Sequence, residues 1–411
     1  MEILFLPGSE RRAPFVLMIK NGAAFDPIEK WGVTYLTTWM ILEEAENQSG
    51  LPIQRNLQQL GAELYFGVEW DAIFFFGSAP IDRVVEVLSL LGEMVVRPKF
   101  LEETFERLRD QLVQEIEKER KHLQVLTQEL FLAELFQANP YAHSVKGTAE
   151  TLRNLYLTDL KIQYRKLFLP NQAQLAFYYS GDRDRVFTAL SRRWGSWVKN
   201  KPLPFTFRKA ESPKGRRILL IDSPSADSLF RWGNLTVEKG SRDYYALKIL
   251  EQYLTLSLPA WADQAAPENQ IQASFQLEAR IMPGYLQLNI QAPAQRLMAY
   301  FQKLEDLVQD LQDGRIDVQK FEEAKQLAHL ELTASLEQPV PRLYRLLETN
   351  LYNLGINFIT HYGTRLNRVT PKHFANVVQR YVSLQNFLLL VAGPSDQLKA
   401  ELDEIGSVKM R

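Results

Sequence analysis

Short apolar runs and longer periodic ones alternate along this chain. Phe15–Ile19, Leu64–Val68, Ala72–Phe76 and Leu175–Tyr179 are brief stretches of β-branched and aromatic residues with turn formers close by, and they predict strands. Trp31–Glu44, Ile81–Val95, Leu101–Gln137 and Leu157–Leu167 bring apolar residues back every three or four positions, the spacing of an amphipathic helix. Mixing the two kinds of element predicts an α+β fold.

The order of elements occurs twice. Phe105 opens a long charged helical segment, followed by Asn139-Pro140-Tyr141, Leu157-Thr158-Asp159-Leu160 and an apolar run ending in Gly181. Phe321 opens a second such segment, followed by Asn350–Gly355, Val369-Thr370-Pro371 and a run ending in Gly393, an offset of about 212–216 residues. Lys199-Asn200-Lys201-Pro202-Leu203-Pro204 and Ser212-Pro213-Lys214-Gly215 lie between, with the Pro, Gly and Lys density of a solvated linker. The expected organisation is a domain over 1–199, a linker over 200–217 and a second, similar domain over 218–411.

Composition narrows the chemistry. The 411 residues carry 48 basic and 49 acidic side chains, a net charge of −1, which gives no overall footprint for nucleic acid. There is no cysteine, so disulfides, thiol nucleophiles and thiolate metal sites are excluded. No stretch approaches the roughly 18 apolar residues of a membrane span. Met1–Pro7 is too short for a signal peptide, and the compartment stays open between cytoplasm and, after leader removal, periplasm. His122, His143, His329, His361 and His373 are dispersed, with no pair at i, i+3 or i+4, so no histidine metal site is expected. Neither a Gly-x-Ser-x-Gly elbow nor a recognisable triad context occurs. Trp70, Trp194, Trp197, Trp232 and Trp261 read as packing residues.

Several stretches in order resemble the M16 family of insulinase, pitrilysin and mitochondrial processing peptidase: Asn21-Gly22-Ala23-Ala24-Phe25-Asp26-Pro27, then Lys30–Met40, Leu60-Gly61-Ala62, Arg97-Pro98-Lys99-Phe100, Asn139-Pro140-Tyr141 and Gly147-Thr148. The resemblance implies two homologous α/β-sandwich domains of the M16 peptidase-like (LuxS/MPP-like metallohydrolase) fold, arranged as half of a clam shell. Active members carry His-x-x-Glu-His on a helix, two imidazoles facing one zinc and a carboxylate serving as base. Here the matching positions are Tyr35, Thr38 and Trp39, and Glu115 stands where the family has its third ligand. One carboxylate cannot hold zinc, so no metal and no cofactor is expected in this chain. Glu115 borders an apolar helix stripe and reads as a structural residue bonded to the backbone or an arginine, with a catalytic remnant as the other reading.

The family also uses an arginine and a tyrosine seven residues apart to hold the peptide beside zinc, and Arg345 and Tyr352 have that spacing. Pro341 and Gly355 delimit a helix of about 13 residues around them. On a helical wheel both fall opposite Leu343, Leu346, Leu347, Leu351 and Leu354, about 10 Å apart along one face. A solvated arginine and a surface tyrosine are the plainer alternative. The resemblance thus implies a non-catalytic, substrate-binding subunit of a heterodimeric M16 zinc peptidase, with zinc in a homologous partner and a peptide or unfolded polypeptide as substrate. The runner-up is a proteolytically silent M16-like scaffold.

Overall fold

The computed structural model describes residues 1–8, 11–43, 53–224, 227–263, 272–355 and 357–411. The first repeat runs β1 (Glu2–Leu6), β2 (Arg12–Lys20), α1 (Val33–Glu43), α2 (Ile53–Gln59), β3 (Glu63–Val68), β4 (Ala72–Pro80), α3 (Val84–Val96), α4 (Glu102–Glu119), α5 (Leu123–Phe136), α6 (Ala149–Arg153), α7 (Leu157–Leu167), β5 (Ala173–Tyr178) and α8 (Arg183–Trp194). The second runs β6 (Arg216–Asp222), β7 (Asp227–Leu235), α9 (Tyr244–Asp263), β8 (Gln272–Glu278), β9 (Tyr285–Pro293), α10 (Leu297–Gln312), α11 (Val318–Glu337), α12 (Pro339–Leu351), α13 (Tyr362–Asn367), α14 (Pro371–Tyr381), β10 (Phe387–Gly393), α15 (Ser395–Ile405) and β11 (Ser407–Met410).

The repeat read from the sequence reappears in the strand pairing. One sheet has the order β1-β5-β2-β4-β3, and the other repeats it as β6-β10-β7-β9-β8 with β11 added outside β6. In each, the matching pair is parallel, β1 with β5 and β6 with β10; β11 is also parallel to β6, and the pairings from β5 to β3 or from β10 to β8 are antiparallel. The mixed α/β architecture is as expected.

Two compact units contain these sheets, and neither is a contiguous stretch of chain. The first comprises residues 1–119, 143–207 and 335–351; the second comprises 120–142, 208–334 and 352–411. Each sheet is therefore covered partly by a helix from the other repeat. In the first unit, Phe15, Leu17, Ile19, Phe75 and Phe177 join Leu88, Leu91 and Leu190 of α3 and α8 in one core. Phe74, on the opposite sheet face, stacks on Tyr344 of α12 at 4.5 Å. Apolar burial on both faces explains why β2 is a continuous apolar run rather than an alternating one.

In the second unit α5 plays the same part. Arg231 of β7, buried, donates to Thr127 Oγ1, Gln128 Oε1 and the Gln124 carbonyl at 2.9 Å each. Gly233 leaves the room that Phe131 of α5 fills, since a Cβ there would lie 2.7 Å from the ring. The helix expected over Leu101–Gln137 is thus two helices. It breaks at residues 120–122 because its two apolar faces are buried in different units, Leu108, Leu112 and Ile116 in one and Phe131, Leu135 and Phe136 in the other. Trp194, Trp197 and Trp232 are buried and Trp70 donates to the His143 carbonyl, as packing residues should; the side chain of Trp261 lies outside the described residues.

Candidate functional site

The start of α1 is built by backbone chemistry. Asp26 accepts from the Gly32 amide at 2.7 Å, the Thr34 amide at 3.2 Å and the Thr34 hydroxyl, capping the helix. Burial outweighs these bonds and pushes its carboxyl up to about 7. Gly32, at φ 92°, faces the Lys146 carbonyl so closely that a Cβ would come within 2.4 Å, and Gly147, at φ 78°, faces the Trp31 carbonyl in the same way. Two glycines thereby press the 146–148 turn against the head of α1.

That contact brings Lys146 to the positions read as a lost metal motif. Its ammonium sits 2.8 Å from Glu115 Oε1 and 2.8 Å from Glu119 Oε1, both on α4. Burial works against the ammonium, but the two carboxylates and neighbouring Tyr35 prevail, and its pKa is raised. Tyr35 is raised as well, by burial first, with Glu115 and Glu119 adding to it and Lys146 opposing. Tyr35 and Glu115 therefore do share a neighbourhood.

The remaining motif positions have turned to other work. Trp39, Tyr35 and Phe66 of β3 form an aromatic group with centroids 5.2–6.4 Å apart. Thr38 is fully buried and its hydroxyl donates to the Thr34 carbonyl at 2.8 Å. The zinc of active M16 members does not fit here: the donor set offers no imidazole, and an ammonium already bridges the carboxylates. Among the described residues there is no group of three or more His, Asp or Glu able to hold a metal. His122 is exposed before α5, away from any such role. Lys146 escaped the sequence reading, although it directly precedes the Gly147-Thr148 pair that was singled out.

The arginine and tyrosine are placed differently from expectation. The helix around them, α12, has 13 residues but ends at Leu351, with Asn353 left-handed at φ 53° ahead of Gly355, which is left-handed at φ 78°. Arg345 is on this helix in the first unit, where Nη1 donates to Glu348 Oε2 at 2.8 Å and Nε to Ser335 Oγ at 3.3 Å. Tyr352 lies past the helix end in the second unit, buried, with the Lys239 ammonium 4.8 Å above its ring. They do not share one exposed helix face.

One backbone feature completes the site. β3 pairs only with β4 among the described residues, so its other edge offers unpaired amides and carbonyls. Phe66 carries the aromatic group of α1 to this edge, and Tyr65 on it is exposed.

Residues 8–149 match the insulinase family, peptidase family M16. Mitochondrial cytochrome b-c1 complex subunit 1 of Caenorhabditis elegans is 26% identical over 143 residues, which is 35% of this chain and 30% of that protein. The Helicobacter pylori non-peptidase homolog YmxG is 24% identical over 143 residues, 34% of this chain and 33% of its own. These matches span about a third of either relative. The crystal structure of a peptidase M16 inactive domain from Pseudomonas fluorescens shares the fold, with a TM-score of 0.83 over 95% of both chains at 18% identity.

Proposed function

Residues 8–149 being an insulinase-family (M16) domain, we propose that the chain is the non-catalytic, peptide-binding subunit of a two-chain M16 peptidase whose homologous partner carries the intact zinc motif. The observation that carries this reading is the edge strand β3 beside the former metal positions. An extended peptide or unfolded polypeptide adds to such an edge as a further strand, its backbone held by β3 and its side chains beside Tyr35, Trp39 and Phe66. The Lys146 bridge between Glu115 and Glu119 fits a site that has given up metal chemistry but kept its walls. Arg345 and Tyr352 are proposed to support the peptide in the assembled pair, which requires Arg345 to exchange Glu348 for a peptide carbonyl.

A second reading has its own observation. Arg345 is held by Glu348 and Ser335 of its own unit and Tyr352 is buried, an arrangement that suits a proteolytically silent scaffold. The related cytochrome b-c1 subunit belongs, by name, to a multi-subunit complex. Reconstitution with a zinc-bearing M16 chain separates the two. Peptide hydrolysis that needs both chains and falls about 10²-fold with Arg345→Ala supports the first reading, by analogy with loss of a donor to a strained carbonyl. Complex formation with hydrolysis indifferent to Arg345→Ala and Tyr352→Phe supports the scaffold.

A further inference from the structure

The second unit holds a cavity of about 620 Å³ that the peptide role leaves unused. Its wall carries Lys239, Arg242, Arg365, Arg368 and His373, and no aspartate or glutamate among the described residues. The chain balances 48 basic residues with 49 acidic ones, so four lasting cations around one hollow are a local excess that the average hides.

The three arginines make no ion pair with a carboxylate among the described residues. Arg365 donates through Nη1 to the neutral Tyr245 phenol at 2.7 Å, and its guanidinium lies 5.7 Å from the centre of that ring. Arg242 and Arg368 are exposed and make no side-chain hydrogen bond or ion pair among the described residues. Asp243, next in sequence to Arg242, is outside the wall and already taken by Arg380 Nη1 at 2.9 Å, the Tyr381 hydroxyl at 3.0 Å and His373 Nε2 at 3.3 Å. Residues 239–242 lead into α9 and His373 sits in the first turn of α14, so two helix starts add their positive ends.

We propose that this cavity binds a compact phosphate-type polyanion, a di- or triphosphate chain that is either free or carried by a nucleoside. Guanidinium forks suit phosphate oxygens bidentately, and the volume lies in the range of roughly 300–1,000 Å³ typical of small-molecule sites. A triphosphate packs three to four charges into one short chain, matching cations gathered around one hollow. An acidic peptide spreads its carboxylates about 3.3 Å apart per residue and to alternate sides, which matches a groove better than a hollow.

The experiment is titration calorimetry of the full chain at low salt with sodium tripolyphosphate, a nucleoside triphosphate, the bare nucleoside and a tetraglutamate peptide. Tripolyphosphate is expected to bind one per chain, and Arg242→Ala and Arg368→Ala, both at exposed positions, each to weaken it about tenfold. Equal affinity for the nucleoside triphosphate assigns recognition to the phosphate chain alone; tighter binding adds the nucleoside to the ligand. No heat with tripolyphosphate at millimolar concentration, affinity unchanged in both variants, or tighter binding of tetraglutamate each overturns the proposal. Unchanged melting temperatures for the two variants establish that any loss is of the site and not of the fold.

Discussion

Helices α1 and α9 occupy matching places in the two repeats, and each meets a glutamate from the long helix of its own unit. Glu115 and Glu331 are both the fourteenth residue of their helices, α4 and α11. Lys248, Glu251 and Gln252 of α9 keep the i, i+3, i+4 spacing of Tyr35, Thr38 and Trp39. A lysine answers the glutamate in both: Lys146 lies 2.8 Å from Glu115, and Lys248 lies 2.9 Å from Glu331 while also pairing with Glu251. Burial is the difference. Lys146 is 25% exposed and its two glutamates 40% each, whereas Lys248 and Glu251 are 9% and 12% exposed. Burial alone depresses the Lys248 ammonium, but Glu251 and Glu331 together raise it. The fold thus brings an acid to the same point twice, and depth decides how much stability rests on the cation that answers it.

The largest effect should come from the buried member. Lys248→Met leaves Glu251 without its cation and is expected to cost about 3–5 kcal/mol in urea unfolding of the full chain. Adding Glu251→Gln should recover at least half of that; a single-variant loss below about 1 kcal/mol would erase the contrast between the two sites.

The heads of the two helices give the next test. Asp26 caps α1 without a cation, whereas Asp243, at the head of α9, has Arg380 at 2.9 Å. A carboxyl at about 7 when folded and near 3.8 when unfolded holds, between those values, a proton that the unfolded chain lacks. Stability therefore falls as pH rises through that window, by about 2 kcal/mol from pH 5 to 7, and levels off above it. Thermal melts across this range should show the slope in the wild type and not in Asp26→Asn.

The smallest effect is expected at Lys146. Its partners face water, so Lys146→Ala should change stability by about 1 kcal/mol or less. Elemental analysis after dialysis against zinc should still find no stoichiometric metal in that variant. One equivalent bound would mean that the ammonium alone had kept the ion out.

The duplicated order of elements was legible because it rests on local signals, turn formers and apolar spacing, which recur at a fixed offset. The lysine bridges were not. Lys146 and Glu115 are 31 residues apart, and nothing in a periodic pattern reports a pair formed by loops pressed together at Gly32 and Gly147. Tyr352 illustrates another limit. A helical wheel assumes that the helix continues, and the left-handed turn at Asn353 ends it before the tyrosine reaches the expected face. The joined reading of α4 and α5 failed for a related reason: both segments are amphipathic, and the passage from one unit to the other at residues 120–122 leaves no proline or glycine to mark it.

The exchange of α5 and α12 also fixes a timetable. The first sheet has all its strands once residue 178 has been made, yet the helix that covers its second face is encoded at 339–351. During synthesis that face, with Phe74 on it, must wait for more than 150 further residues to leave the ribosome. A nascent chain of this protein is therefore a half-covered sheet for much of its production, and the stretch between Tyr178 and Leu351 is when it most needs a chaperone.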